Sequence, residues 1–403
     1  MVPFLLNPGL TISFSVEIVT VGNMYPNAPG AIPFVGPAFE TAVADLRQKY
    51  GAIFEVKHTY LVDRKYANAV ELAFGIEVMT ASWYYDRERT PANLTVLIFG
   101  GSNEAYPLNR LAESWKTLMI TSVVNGPRDR RFASTWISGS CVSVVTYERL
   151  FQLLLTKYGW RSVYIVLDVS SNLFYTAMSG SLVYIAVEIF QHPQFGSFSW
   201  RYEDKDDDLV KEAYRSVLLL GPDESMYDIP SVKLIQEWKD RTRTLYNFTY
   251  TDNNPYVVAS YTSVMMFGAL LNETLAGSMS TGVQNGITLA SKFLNRTFDL
   301  SYTTIFIDGS GERRTDLVVR DLDISTGIFE PKLLLSKNKN AFQRLGDIDW
   351  SSRLNIPPPN EPECGYRDNR VGKSCSQGGT TNLIAGVMVI LLATVVCVAA
   401  WVR

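Results

Sequence analysis

Two short loops combine glycine with small polar side chains directly ahead of a helix-like segment. They are Gly100-Gly101-Ser102-Asn103 and Ser138-Gly139-Ser140. The free backbone N–H groups of a helix N-terminus attract negative charge, and short polar side chains add hydrogen-bond donors without filling the space. Both loops are therefore candidate ligand-binding sites for an anionic group. The alternative is that a serine, or Asn103, only caps its own helix.

Charged residues at two other places could also contact a ligand. Three arginines stand together in one loop: Arg128, Arg130 and Arg131. This loop could lie where the chain passes between two lobes, or it could be a solvated turn. Asp321 and Asp323 flank Leu322 in a strand-like run, and strand alternation turns both away from Leu322. We expect these aspartates on the strand surface rather than in an acid pair.

The chain carries no recognisable catalytic signature. Its two histidines, His58 and His192, are far apart in sequence and offer no cluster of metal ligands. There is no GxSxG nucleophile motif, no Walker loop and no kinase signature. The net charge is −3 without a long basic run, which argues against a nucleic-acid partner. We predict a chain that is not an enzyme and needs neither a cofactor nor a metal.

The last part of the chain predicts a membrane span behind a stalk. Residues 382–402 contain no charged side chain, and a helix of that length matches the roughly 30 Å hydrocarbon core of a bilayer. Residues 356–381 are rich in proline, glycine and asparagine, as expected of a juxtamembrane stalk. We predict a single-pass protein of the plasma membrane with its N-terminus outside the cell.

The cysteines fit an extracellular location. Cys364 and Cys375 lie in the stalk, and outside a cell their spacing suits a local disulfide worth about 3 kcal/mol in the chain-entropy model. Two free thiols are the alternative. Cys397 lies within the apolar run and is interpreted as a small apolar residue there. Cys141 has no evident partner.

Four Asn-x-Thr sequons precede the apolar run, as an extracellular position requires. Their asparagines are Asn93, Asn247, Asn272 and Asn295. A chain of this composition contains about three sequons by chance. The sequons therefore permit N-glycosylation without establishing it.

Strand-like and helix-like segments alternate along the rest of the chain. In the first half, strands are predicted over 13–22, 52–62, 93–101 and 117–124, with helices over 36–51, 67–82 and 103–115. The pattern then restarts, with helices predicted over 142–159, 172–190, 228–241, 256–277 and 287–298, and strands over 160–168 and 214–222. Residues 302–323 predict two strands around an Asp-Gly hairpin turn in the stretch FIDGSGERR. This order is typical of parallel sheets covered by helices, and the length suits two lobes. A ligand then binds at the carboxyl ends of the strands, between the lobes.

Several of these segments resemble the extracellular region of receptor-type guanylyl cyclases, a group that includes natriuretic peptide receptors and many nematode receptors. The matching stretches are GPAFETAVADL, TWISGSCVSVVTYERLFQLLLTKYGWRSVYIV, NLFYTAMSGSL, YTSVMMFGALLNETL, IDGSGERRTDLVVRDLD and IPPPNEPECGY. They occur in the order of the family and cover most of residues 13–402. No single stretch is decisive, and the case rests on their combination.

The resemblance implies a type I periplasmic-binding-protein-like fold with two Rossmann-like lobes, followed by one transmembrane helix. The ligand-binding region would span residues 13–355, with crossings between the lobes near 125–142, 250–258 and 298–310. In amino-acid-sensing relatives of this fold, the loop similar to Gly100–Asn103 holds a ligand carboxylate. The resemblance also implies a homodimer, or a heterodimer with related receptors.

The chain departs from the family in three respects. Cysteines that commonly stand near residues 61–70 and 100–104 are absent, so the chloride-binding corner of the natriuretic branch is not expected here. The region between Trp200 and Gly221 is short. The kinase-like and cyclase domains do not follow the apolar run, so this chain is not expected to make cyclic GMP.

Three functional hypotheses follow. The first is a cell-surface receptor that binds a peptide or small molecule between or beside its lobes and passes a conformational change to the span. The second is that the sequence is an incomplete fragment of a receptor guanylyl cyclase. The third is a lipid-anchored binding protein, because small residues followed by an apolar tail resemble a GPI-attachment signal.

Overall fold

The computed structural model describes ten stretches of the chain. They are residues 14–26, 28–86, 92–127, 129–163, 183–188, 198–223, 232–250, 254–277, 282–350 and 355–360. The predicted span at 382–402, the stalk beyond residue 360 and the predicted Cys364–Cys375 disulfide lie outside these residues. Within the described stretches, no helix combines the length and the apolar character needed to cross a bilayer.

The first lobe is built on a five-stranded sheet in the order β2-β1-β3-β4-β5, with every pairing parallel. Its first elements are β1 (Phe14–Val21), α1 (Ile32–Tyr50), β2 (Phe54–Leu61), α2 (Ala69–Tyr84), β3 (Leu94–Phe99), α3 (Ala105–Trp115), β4 (Leu118–Thr121) and β5 (Trp136–Ser138). The inner strands β1, β3 and β4 are mostly buried because helices cover both faces of a parallel sheet. The alternation predicted from the sequence is confirmed here.

Three helices and a small sheet from later in the chain complete the first lobe. These are α6 (Val232–Tyr246), α7 (Pro255–Ala276), α8 (Gly286–Ser291) and the antiparallel strands β8 (Arg296–Leu300), β9 (Thr303–Ile307) and β10 (Arg313–Arg314). Residues of α6, α7 and these strands share one hydrophobic core with α1 and the first sheet. The Trp238 indole donates to the Thr41 hydroxyl over 3.0 Å, and the Thr242 hydroxyl donates to the Pro33 carbonyl over 2.8 Å.

The second lobe contains a five-stranded sheet in the order β13-β12-β11-β7-β6. Its elements are α4 (Val144–Tyr158), β6 (Tyr184–Val187), α5 (Asp207–Tyr214), β7 (Val217–Pro222), β11 (Leu317–Asp323), β12 (Ile328–Leu335) and β13 (Gln343–Arg344). Only β6 and β7 pair in parallel, and the other pairings are antiparallel. The expectation of a parallel sheet therefore holds for the first lobe, whereas the second lobe is mixed.

Two helix predictions need correction. The helix expected over 172–190 is wrong at Tyr184–Val187, which pairs with β7 as a parallel strand. The helix expected over 287–298 ends at Ser291, and Arg296–Leu300 is a strand paired with β9. At Tyr184–Val187 strand pairing decides the structure of a short apolar pattern that fits a helix as well as a strand.

The chain passes between the lobes three times. The first passage follows β5 and ends where α4 begins, and the third joins β10 to β11. The chain also returns from β7 in lobe two to α6, which packs on α1 of lobe one. The sequence placed the crossings near 125–142, 250–258 and 298–310, and these positions stay predictions.

Candidate functional site

The loops that follow β3, β4 and β5 meet at the carboxyl edge of the first sheet. The Val123 N–H donates to the Gly100 carbonyl over 2.8 Å, and the Gly139 N–H donates to the Thr121 carbonyl over 2.8 Å. The Ser140 hydroxyl donates to the Val123 carbonyl, also over 2.8 Å. The structure thus brings both predicted anion loops to one edge and joins them through the loop after β4.

A buried carboxyl group directly after the first predicted loop already accepts backbone N–H groups there. Glu104 stands at the N-cap position of α3, and no side chain caps this helix. The Glu104 carboxylate is 3% exposed and accepts the backbone N–H groups of Ser102 and of Glu104 itself. Burial raises its pKa to about 7, and its Oε2 atom has no hydrogen-bond partner among the described residues. Neither Ser102 nor Asn103 caps the helix. Only half-buried Ser102 and exposed Asn103 remain open to a ligand, because Gly100 and Gly101 are buried.

The second predicted loop is buried and internally hydrogen-bonded. The Ser138 hydroxyl donates to the Asn125 side-chain oxygen over 2.8 Å. A Cβ on Gly139 would come within 2.2 Å of the Ser263 hydroxyl, so α7 packs directly on this loop. The cap of α4 is Ser143, whose hydroxyl accepts the Thr146 N–H. Ser138, Gly139 and Ser140 therefore shape the first passage, and their contact with a ligand stays a prediction.

The basic loop is paired within the chain. The Arg130 guanidinium donates to the carbonyls of Trp136 over 2.5 Å and of Ser134 over 2.9 Å. Exposed Arg131 pairs with Asp129 at 2.6 Å. Arg130 is therefore a half-buried residue that holds the segment leading into β5, and Arg131 belongs to a solvated turn. Arg128 lies outside the described residues.

Asp321 corrects another expectation. It is 1% exposed rather than on the surface, because β11 is the central strand of the second sheet. One carboxylate oxygen accepts the Asp349 N–H over 2.6 Å, and the other has no partner among the described residues. Burial raises the pKa of Asp321 to about 6.

The first and third passages are tied to each other. The Ser138 N–H donates to the Gly311 carbonyl over 2.8 Å, and Ser138 forms a parallel bridge with Glu312. The Ser143 hydroxyl donates to the Glu312 carboxylate over 3.3 Å. The predicted Asp-Gly hairpin is confirmed, since β9 and β10 pair around Asp308-Gly309. This turn connects the start of α4 in lobe two to the sheet edge of lobe one.

A cavity of about 50 Å³ lies where the passages meet. It is lined by residues of both lobes, among them Cys141, Asp223, Ala259, Arg313, Thr315 and Lys337. The volume suits a few water molecules or one small polar group of a larger ligand. The cavity lies between the lobes, where the sequence predicts a ligand, and its lining residues differ from the residues singled out in the sequence. Ligand binding at either set of residues stays a prediction.

The cavity offers charges of both signs and two uncharged polar groups. Arg313 is 8% exposed, and its guanidinium donates to the Thr262 hydroxyl over 3.4 Å. The Cys141 thiol is free and buried, and burial raises its pKa to about 12, so it stays protonated. The buried Thr315 hydroxyl has no partner among the described residues. Such a lining can bind a small polar or anionic group, and it contains no activated nucleophile.

Sequence reasoning missed these cavity residues because it interpreted the SGERRT stretch only as a turn. The available signal was the Arg313-Arg314 pair placed directly before a strand-like run. For the stretches that the structure describes, no group of three His, Cys, Asp or Glu side chains is arranged to hold a metal ion.

Part of the chain is similar in sequence to known receptors. The chain is 28% identical over 200 residues to receptor-type guanylate cyclase gcy-28 of Caenorhabditis elegans, a match that covers 47% of this chain and 15% of the relative. It is 24% identical over 156 residues to human atrial natriuretic peptide receptor 3, which covers 38% of this chain and 28% of the relative. The chain resembles the receptor-type guanylate cyclases. No family model matches it.

The similarity to these receptors is partial. The matches span less than a third of either relative and take in the ligand-binding region without a catalytic domain. The resemblance stated from the sequence motifs is thereby confirmed, whereas cyclase activity is not assigned to this chain.

Solved structures of bacterial solute-binding proteins are also similar in outline. One is a transporter protein of Rhodopseudomonas palustris in complex with 3,4-dihydroxybenzoic acid, with a TM-score of 0.49 at 12% identity, covering 81% of this chain and 98% of that one. Another is the leucine-binding protein LivK of Thermotoga maritima, with a TM-score of 0.44 at 13% identity, covering 80% and 99%. These scores are below 0.5, so the two-lobed α/β architecture rests on the strand order described above.

Proposed function

We propose that this chain is the ligand-binding region of a single-pass cell-surface receptor of the receptor-guanylate-cyclase type. The observation that carries the proposal is the sequence similarity to such receptors, combined with a cavity lined by both lobes at the three passages. The ligand is a peptide or small molecule outside the cell, and a small polar or anionic group of it enters the cavity.

The ligand acts by changing how the two lobes meet. A ligand shifts a conformational equilibrium only by its difference in affinity for the two states. A group bound in the cavity contacts both lobes, so its contacts change when the lobes move. The hydrogen bonds between Ser138 and Gly311 and between Ser143 and Glu312 then carry the motion from one lobe to the other. The signal leaves through the stalk and the predicted span.

Location is the first test. We expect an epitope tag placed before residue 13 of the full chain to bind antibody on intact cells, and surface biotinylation to label the chain. Staining only after permeabilisation would contradict an extracellular N-terminus. Release of the chain by a phosphatidylinositol-specific phospholipase would contradict the span and favour a lipid anchor.

The cavity is the second test. The region 13–355 replaces the corresponding part of gcy-28, and cyclic GMP is measured while cells are exposed to a panel of peptides and carboxylated metabolites. Ala259 lines the cavity with 0% exposure, so Ala259→Met fills it. Ala213 in α5 is 1% exposed and does not line it, so Ala213→Met is the matched control. A response lost with both variants at equal surface level would contradict binding in the cavity.

A further inference from the structure

A short proline segment after the second lobe is held against that lobe. This proline segment is residues 355–360, Asn-Ile-Pro-Pro-Pro-Asn. Proline fixes its own φ, and a residue that precedes proline is confined to extended or polyproline II backbone. Ile356, Pro357 and Pro358 each precede a proline, so the segment is stiff before it binds and loses little conformational entropy on docking.

The middle of the segment lies against a tryptophan. The Trp160 indole N–H donates to the Pro358 carbonyl over 2.8 Å across 198 residues of sequence. Pro358 is buried, and with Leu218, Ile348 and Trp350 it lines a small cavity in lobe two. A proline ring against aromatic and aliphatic side chains, together with an indole donor to a proline carbonyl, is the chemistry by which aromatic grooves bind polyproline segments.

The tryptophan is held in place from two sides. Helix α4 ends in a left-handed Gly159, and the Trp160 N–H returns to the Leu155 carbonyl over 2.9 Å. The rings of Tyr158, Trp160 and Trp350 then pack on one another with centroids 4.8 to 6.0 Å apart. These contacts fix the orientation of the Trp160 indole N–H, as a preformed binding site requires.

Asparagines close the contact at both ends of the segment. The Asn355 side-chain oxygen accepts the Trp350 N–H over 2.7 Å. The Asn360 side-chain oxygen accepts the Ser162 N–H over 2.9 Å and also the Arg161 N–H. These bonds satisfy backbone donors just beyond α4 and set the register of the prolines against Trp160.

We infer that lobe two carries a recognition site for a polyproline II segment and that residues 355–360 of the same chain occupy it. The site consists of Trp160, Trp350 and Ile348 with the backbone donors of residues 161 and 162. It joins lobe two to the chain that leads toward the predicted span. The inference rests on contacts within the described residues and does not depend on the receptor proposal.

Hydrogen exchange on the purified full chain tests the contact. Asn360→Ala removes the acceptor for the Arg161 and Ser162 amides, and Trp160→Phe removes the indole donor while keeping an aromatic ring. We expect both variants to exchange these two amides about tenfold faster. Trp200→Phe is the matched control, because the Trp200 indole donates to the Gly327 carbonyl over 2.7 Å elsewhere on lobe two. We expect Trp200→Phe to leave the exchange rates of the Arg161 and Ser162 amides unchanged. Equal exchange in Asn360→Ala and the parent chain would overturn the inference.

A peptide added in trans tests recognition. In the double variant Pro358→Asp, Asn360→Ala the segment is displaced, and a synthetic peptide of residues 355–360 is titrated while tryptophan fluorescence is followed. We expect a saturable change and slower exchange at Arg161 and Ser162, whereas a peptide carrying Pro358→Asp has no effect. Identical behaviour of the two peptides would show that lobe two does not recognise the proline segment.

Discussion

Gly30 and Gly100 lie back to back where the loops after β1 and β3 cross. A Cβ on Gly100 would come within 2.5 Å of the Gly30 carbonyl oxygen and 2.9 Å of its Cα. Since both contacts are to backbone, they cannot relax by a side-chain rotation. The crossing therefore requires glycine on steric grounds.

We expect Gly100→Ala to lower the free energy of unfolding by about 1 to 3 kcal/mol, the usual cost of overpacking. Urea denaturation measures the change. Gly346→Ala is the control, because the nearest atom to its Cβ is Lys332 Cδ at 3.2 Å, in a flexible side chain. Equal stability of the two variants would show that the crossing can open.

Glu104 should make the stability of the chain depend on pH. Its pKa is raised from 4.5 to about 7 by burial, so the folded state retains a proton that the unfolded state releases. The free energy of unfolding therefore falls as the pH rises from 4.5 to about 7. The total loss is about 3 kcal/mol, at about 1.4 kcal/mol per pKa unit. Below pH 4.5 the carboxyl is neutral in both states, and above pH 7 the loss is complete.

The variant Glu104→Gln isolates this effect. Asp321, whose pKa is also raised, and His58, whose pKa burial lowers to about 4, contribute equally to both chains and cancel in the difference. We expect the variant to gain stability relative to the parent between pH 4.5 and 7, as followed by denaturant midpoints. A difference that does not change with pH would mean that the carboxylate finds a partner on ionisation.

Thr315→Val should be neutral or stabilising without a ligand, by up to about 1 kcal/mol. Its hydroxyl is buried without a partner among the described residues, and valine has nearly the same shape. Thr242→Val provides the contrast, because the Thr242 hydroxyl donates to the Pro33 carbonyl and its loss costs about 1 to 2 kcal/mol. Thermal unfolding of both variants measures the two changes in stability. Destabilisation of Thr315→Val to the same extent would indicate that its hydroxyl is already satisfied.

The sequons differ in accessibility, and glycan occupancy should follow it. Asn93, Asn247 and Asn295 are exposed, whereas Asn272 is half-buried in α7 with its side-chain oxygen shielded from solvent. We expect Asn→Gln at each exposed position to increase electrophoretic mobility of the secreted-pathway product, and Asn272→Gln to leave it unchanged. Mass spectrometry of a glycopeptide containing Asn272 would contradict this order.

Sequence patterns predicted the strands of the first sheet from two different signals. Leu94–Phe99 was identifiable as a nearly continuous apolar run, which suits a strand covered on both faces. Phe14–Val21 was identifiable because it is rich in β-branched residues. Tyr184–Val187 was not, because four apolar residues fit a helix as well as a strand, and only pairing with β7 decides. The buried position of Asp321 likewise depends on which strands flank β11.

The candidate site was harder to predict because its residues come together only in the folded chain. Glycine and serine around residues 100 and 139 correctly marked the carboxyl edge of the sheet. Nothing local to Ala259 or Thr315 indicates a shared cavity, and nothing near Trp160 indicates a contact with Pro358. Glu104 follows the predicted anion loop by one residue, and its carboxyl group accepts the backbone N–H groups of Ser102 and Glu104 that a ligand would otherwise use.

The two parts of lobe one are made far apart in time during translation. Bonds such as that between Trp238 and Thr41 join residues 197 positions apart, with the first part of lobe two encoded between them. At about 5 to 20 residues per second, the apolar face of α1 stays uncovered for roughly ten to forty seconds until α6 and α7 emerge from the ribosome. We therefore expect lobe one to complete its core only after α6 and α7 are made, and a chain that stops before Val232 to leave the apolar face of α1 uncovered.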